Sequence, residues 1–344
     1  MIKHLFTIWL TTINFWCKAQ DKDSIQKINP NYGYDTSRII DKSDKLALYF
    51  NISGKMSEID IKTNSSEKQL QLVPNGRTLI GLGIDYKWFG VGVSLSVPST
   101  NKDEEIYGKT DRLDIQINYY QNSFGVDAYL KYYKGFYLQN PGDFTNWPYH
   151  NYPLLQNMET FAEGLAVYYL FNHRNFSYKA VFPRTMWQKK SSGSLILGAY
   201  INRNNCIAPE GVLPPELPDS LSSKYDIKGF SNTMIGISFG YTYTWVIKKR
   251  FFTNLSVVPG LGYAKPEITT SIENKKFEPA VSASFTIRLS LGYEAKHFYY
   301  GFNFIDFIDN FNYENIQVSS STGNVRLFIG RRFDVSKIFK HNKN

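Results

Sequence analysis

Four of the five histidines lie beyond the first twenty residues: His150, His173, His297 and His341. Only His150 has the company that acyl transfer needs. Asp143 is placed to orient its imidazole, and Thr145 or a nearby serine supplies a hydroxyl to activate. An exposed loop histidine is the plainer reading, and both stand at this point. His173 sits beside Arg174 in a short predicted turn and His297 at another, where solvation explains them. No GxSxG, Walker loop or HExxH occurs. The only cysteines are Cys17 and Cys206, so there is no disulfide framework or thiolate metal site. No cofactor is expected.

A second group of ionisable residues recurs within apolar alternation: Asp85, Asp114, Asp127, Lys131, Lys179, Arg288, Glu294 and Arg326. Two roles are open to them. They can pair across an enclosed interior and fill it, or some can line a narrow channel that selects a polar solute.

The elements that must position these groups are strands with a period of two. Phe89, Val91, Val93, Leu95 and Val97 alternate with glycines and serines. Leu113, Ile115, Ile117 and Tyr119 oppose Asp114, Gln116 and Asn118. Ile235 to Trp245 opposes Gly236, Ser238, Gly240, Thr242 and Thr244, and Val281 to Leu291 opposes Ser282 to Ser290. A charge facing lipid costs about 2–4 kcal/mol near the midplane, so Asp114, Asp127 and Lys131 identify the inner face. Small inner residues leave room for long side chains crossing from the far wall. Lys45–Lys62 and Gln69–Tyr86 read as two long strands, and Phe176, Tyr178, Ala180 and Phe182 as a strand after the Asn172–Asn175 turn. Counting to thirteen puts short turns on both sides, so the fault lies between about Ala180 and Phe230. Twelve strands is the preferred count and fourteen the alternative. The expected fold is all-β: a closed antiparallel transmembrane β-barrel in an up-and-down meander.

Composition agrees. The 25 Tyr, 25 Phe and 6 Trp residues accompany a mean hydropathy of only -0.34, as expected when every second residue faces a polar interior. The doublets Tyr119-Tyr120, Tyr132-Tyr133, Tyr168-Tyr169 and Tyr299-Tyr300 suggest an aromatic girdle at the headgroups. Residues 1–19 read as a cleaved signal peptide. Its loss takes two of the 39 basic residues and none of the 30 acids, leaving a charge of +7. With no basic stripe, no nucleic-acid partner is expected. Residues 20–44 are expected to form a periplasmic lead-in, 45–334 the barrel, and 335–344 a basic tail. Two long connections stand out. Gly135–Asn157 holds the ligand candidates Phe136, Tyr137, Trp147 and His150 and is aromatic enough to fold over the mouth. Asn204–Gly229 carries four prolines.

The run from Gly108 through Asp114 to Tyr119-Tyr120, with Phe124-Gly125-Val126-Asp127 and Tyr132-Tyr133-Lys134-Gly135-Phe136-Tyr137, resembles the DUF4421 family of Bacteroidetes outer-membrane proteins. So do Trp187–Ser194, Val246–Phe252 and Pro259-Gly260-Leu261-Gly262. The resemblance implies an outer-membrane barrel and brings no catalytic residues. The tail after Phe333 departs from the usual barrel ending. Expected partners are outer-membrane lipids, the barrel-assembly machinery, and a small polar solute or envelope ligand. The leading function is a non-enzymatic narrow pore or ligand-binding scaffold; the alternative is a rim-located hydrolase or lipid-modifying enzyme.

Overall fold

A computed structural model describes residues 33–64, 67–76, 78–87, 89–96, 103–222 and 224–334. The signal peptide, the first part of the lead-in and the basic tail lie outside the described residues. Among the described residues, twelve long strands close a ring. They are β1 (Lys45–Thr63), β2 (Thr78–Tyr86), β3 (Phe89–Ser96), β4 (Asp111–Tyr120), β5 (Phe124–Leu138) and β6 (Leu154–Leu170), then β7 (Ser192–Ile207), β8 (Gly229–Ile247), β9 (Phe251–Thr269), β10 (Ala280–Glu294), β11 (Phe298–Tyr313) and β12 (Ile316–Asp334). Each pairs antiparallel with the next, and β12 returns to β1 along its whole length, from Asp334↔Lys45 to Ile316↔Thr63. The ring is thinnest between β3 and β4, where only Phe89–Val91 pairs with Ile117–Tyr119. The fold is the expected twelve-stranded, closed antiparallel meander.

Two expected strands are corrected. Gln69–Tyr86 is not continuous. Gln69–Val73 is a separate short strand, and the chain breaks at Pro74, whose nitrogen cannot donate to a ladder, before β2 begins. The short strand bridges β1 to the far end of β5, spanning the gap above β2 to β4. Phe176–Phe182 is not a strand at all, since Tyr178–Val181 forms one helical turn. β6 and β7 pair directly with each other from Glu159↔Ile207 to Leu170↔Ile196, so no edge is open to receive it. Removing that strand brings the turns after β2, β4, β8 and β10 to one end, beside both barrel termini. This is the near end below.

Outward side chains form an apolar belt. On β1, Leu48, Phe50, Ile52 and Met56 are exposed, and the next outward residues are Glu58, Asp60 and Lys62. The run Leu46–Met56 matches the ~9–11 residues a tilted strand needs to cross a bilayer. Phe251, Tyr293 and Tyr300 stack along the near end of the belt at 4.6 and 5.2 Å. The tyrosine doublets are divided between two tasks. Tyr119, Tyr132, Tyr169 and Tyr300 face out, whereas Tyr120, Tyr133, Tyr168 and Tyr299 are buried inside.

The small inner residues also receive rings from the adjacent strand rather than from the far wall. Tyr49 is paired with Gly83, Tyr168 with Gly125, Tyr129 with Gly164, Tyr200 with Gly236 and Tyr299 with Gly330. In each pair, a Cβ on the glycine would collide with the ring. Covering a strand glycine in this way supplies the packing it lacks.

Candidate functional site: the occupied lumen

The connection between β6 and β7 is the main departure from a plain barrel. Phe176, Tyr178 and Val181 cannot face water, and with no strand edge available they enter the lumen, where each is at most 1 % exposed. Tyr178 shares a hydrogen bond with Ser256 Oγ at 2.8 Å. Pro183 follows, and Arg184 then takes the left-handed region at φ 57, turning the chain back. Behind it, Met186–Gln188 pairs with Ile39–Asp41 of the lead-in, forming a two-stranded lid over the near end.

A buried charge cluster fastens this plug. Arg332 donates to the Arg184 carbonyl from Nη2 at 2.7 Å and to Glu294 Oε1 from Nη1 at 2.5 Å. Lys42 Nζ donates to the same Glu294 oxygen at 2.8 Å and lies 4.3 Å from the Trp187 ring. Burial lowers the Lys42 pKa below the ordinary 10.5, and Glu294 opposes that shift. Trp187 Nε1 donates to the Lys249 carbonyl. The Arg184 guanidinium sits 4.1 Å from the centroid of Phe252 and donates to Ser290 Oγ.

Further along the axis, Arg288 Nη2 meets Asp127 Oδ2 at 2.7 Å. Tyr120 and Tyr168 also donate to that carboxylate, at 2.7 and 3.1 Å. Lys55 pairs with Asp114 at 2.9 Å. Lys131 lies over Tyr129 and Phe307, and Asp309 accepts from Asn204 at 3.2 Å.

The far end is apolar. Ile59, Ile61, Leu70, Leu72, Phe136, Leu138, Phe311 and Tyr313 form one core with Val212, Leu217, Tyr225 and Ile227 from the β7–β8 connection. The proline-bearing connection thus seals the mouth. The aromatic connection contributes Phe144, edge-on to Tyr225 at 6.1 Å. Between plug and core lie interior cavities of about 90, 50 and 20 Å³. At about 30 Å³ per water, each holds a few molecules at most. An apolar concavity of about 810 Å³ lies on the outer wall among Phe50, Phe251, Leu291, Tyr300 and Leu327, in the zone of lipid chains.

The residues singled out from sequence are therefore distributed as follows. Asp114, Asp127, Lys131, Arg288 and Glu294 lie in the interior groupings above. Asp85 and Arg326 line the 90 Å³ cavity. Lys179 is on the plug, not on a wall strand, and its Nζ donates to Asn122 at 3.3 Å. Burial lowers its pKa as well, against the pull of Asp41. Phe136 is fully buried and unavailable to a ligand from outside. Tyr137 packs with Tyr107 and Tyr152 at 5.2 Å from each. Trp147 donates to the Asn151 carbonyl and packs edge-on to Tyr149. His150 is exposed and has no hydrogen bond among the described residues, while Asp143 accepts from Asn140 at 2.7 Å. The suggested His150–Asp143–Thr145 set is not joined by hydrogen bonds. Lys42, Lys55, Arg184 and Arg332 were not anticipated. Lys55 shares the inner parity of Ser53 and Ser57, a signal legible in β1; Lys42 and Arg332 meet Glu294 across the near end, and Arg184 gains its partners when the connection folds inward.

A family model described as a domain of unknown function (DUF4421) matches residues 33–333. No curated protein matches the chain. The solved structures it resembles include the outer membrane protease OmpT of Escherichia coli, at TM-score 0.41 and 8 % identity over 86 % of this chain and 98 % of that one. The toluene transporter TodX of Pseudomonas putida gives 0.30 and 8 % over 84 % and 89 %. The translocator domain of the autotransporter NalP of Neisseria meningitidis gives 0.31 and 6 % over the same shares.

Proposed function

The chain belongs to the DUF4421 family, and from that premise we propose that it is a closed, non-conducting outer-membrane barrel. Its termini face the periplasm, and the far end, with its aromatic connection, presents a binding surface outside the cell. The observation that carries this is the double seal: a plug pinned by Arg332, Glu294 and Lys42 at one end and an apolar core at the other. A narrow pore needs a continuous wet path, and the cavities between the seals are separate and small. The belt and near-end aromatics support membrane insertion, and clustering of short turns at the near end supports the orientation.

Planar-bilayer recording tests the proposal. Wild type is expected to give no conductance steps at either polarity. A variant with residues 177–190 replaced by a Gly-Ser linker is expected to leak. Steps from wild type would restore the narrow-pore reading. Lipid and ester hydrolysis by wild type and His150→Ala addresses the rim hydrolase; activity lost in the variant would revive it.

A further inference from the structure

Asp85 is the one sequence-selected acid that the interior leaves without a partner among the described residues. It is 5 % exposed and makes neither a hydrogen bond nor an ion pair there. Every other lumenal carboxylate described above is engaged: Asp127 by Arg288, Asp114 by Lys55, Glu294 by Lys42 and Arg332, and Asp309 by Asn204. An isolated buried carboxylate costs several kcal/mol.

The cavity of about 90 Å³ beside Asp85 explains what could satisfy it. Arg326 and Arg184 line the same space. Yet no nitrogen of either comes within the 4.0 Å of an ion pair with it. The Nε atoms of both arginines, the Tyr299 hydroxyl and Asn324 Oδ1 are likewise buried and unpartnered. Tyr299 is 2 % exposed and Asn324 6 %. Gln116, Asn118, Tyr49, Tyr120 and Asn303 also line it. The site therefore has a carboxylate and an amide oxygen in need of donors, and two arginine Nε groups and a phenol in need of an acceptor; the Arg184 Nη atoms are already engaged by the Ala180 carbonyl and Ser290.

We propose that this cavity is a binding site for a small zwitterion of the amino-acid class, with its ammonium on Asp85 and Asn324 and its carboxylate on Arg326, Arg184 and Tyr299. A lone anion would leave Asp85 unpaired and facing like charge, and a lone cation would do the same to the arginines. A zwitterion satisfies both, and arginine is suited to bind a carboxylate. The volume limits the solute to glycine or a molecule little larger. The site goes beyond the closed-barrel reading and does not depend on it: conductance reports on the plug, and solute retention reports on the site.

The test uses purified protein refolded from urea into detergent with radiolabelled glycine present, so that the plug does not bar entry. Parallel samples contain labelled methylammonium or acetate. Wild type is expected to retain about one glycine per chain and to melt at higher temperature with it, and neither half-ligand is expected to match this. Asp85→Asn and Arg326→Gln are each expected to bind glycine at least about tenfold more weakly. Heat-dependent gel mobility checks barrel closure, and Asn324→Leu, which fills the cavity without changing charge, serves should a charge variant fail to fold. Retention of acetate equal to glycine overturns the zwitterion assignment. No retention of any probe means that water alone fills the cavity, and unchanged retention in the variants places the glycine elsewhere; either result also overturns the proposal.

Discussion

Asp127 accepts from Arg288, Tyr120 and Tyr168, so protein donors stand where water would otherwise solvate its carboxylate. Removing one member of such a group costs more than removing both charges, because the survivor stays buried and unpaired. Asp127→Ala is expected to lower stability by about 3–5 kcal/mol. Adding Arg288→Met should return a substantial part of that loss. Urea unfolding in micelles measures both, and a double variant less stable than Asp127→Ala would refute the coupling. His150 illustrates the opposite case at this scale: its residue type invited a catalytic reading, but chemistry needs a partner at hydrogen-bond distance.

At the scale of the element, alternation assigns each side chain to lipid or lumen. Ile237, on the exposed face of β8, is expected to lose about 2–4 kcal/mol as Ile237→Lys, whereas Ser231→Lys on the same face, beyond the apolar run, should cost about 0–1 kcal/mol. Equal losses would mean that the belt is misplaced. The neighbouring inner position makes a different demand. Gly236 lies under the Tyr200 ring, and Gly236→Val is expected to displace that ring at a cost of about 1–3 kcal/mol. Denaturant midpoints in micelles give both values. Paired with Tyr200→Ala, the glycine substitution should become cheaper. This aromatic cover was half legible: small inner residues predicted that large neighbours must fill the space, but not that they come from the adjacent strand.

For the whole molecule, the two seals differ in kind. The far end is closed by apolar burial, whereas the near end adds charge-assisted hydrogen bonds to the buried Phe176, Tyr178 and Val181, and one substitution can remove those bonds. Arg332→Gln removes the fork that joins the plug to Glu294. Brief conductance steps are expected from this variant in planar bilayers, with the barrel still intact by gel mobility. Silence like that of wild type would show that the lid strand and Trp187 suffice to hold the plug.

Period-two alternation of oily and small polar residues was enough to determine the barrel, its faces and nearly all of its strands. Side-chain direction in a strand is a local property, and a charge in lipid is too costly to leave the choice open. The alternation of Phe176, Tyr178, Ala180 and Phe182 carried the same local signal and was misleading. Whether such a segment joins a sheet depends on a free edge, and β6 and β7 had already consumed theirs in pairing with each other. Tertiary closure alone decided that this segment fills the lumen, that Lys42, Arg184 and Arg332 converge on its base, and that Asp85 faces a cavity with its cations held apart.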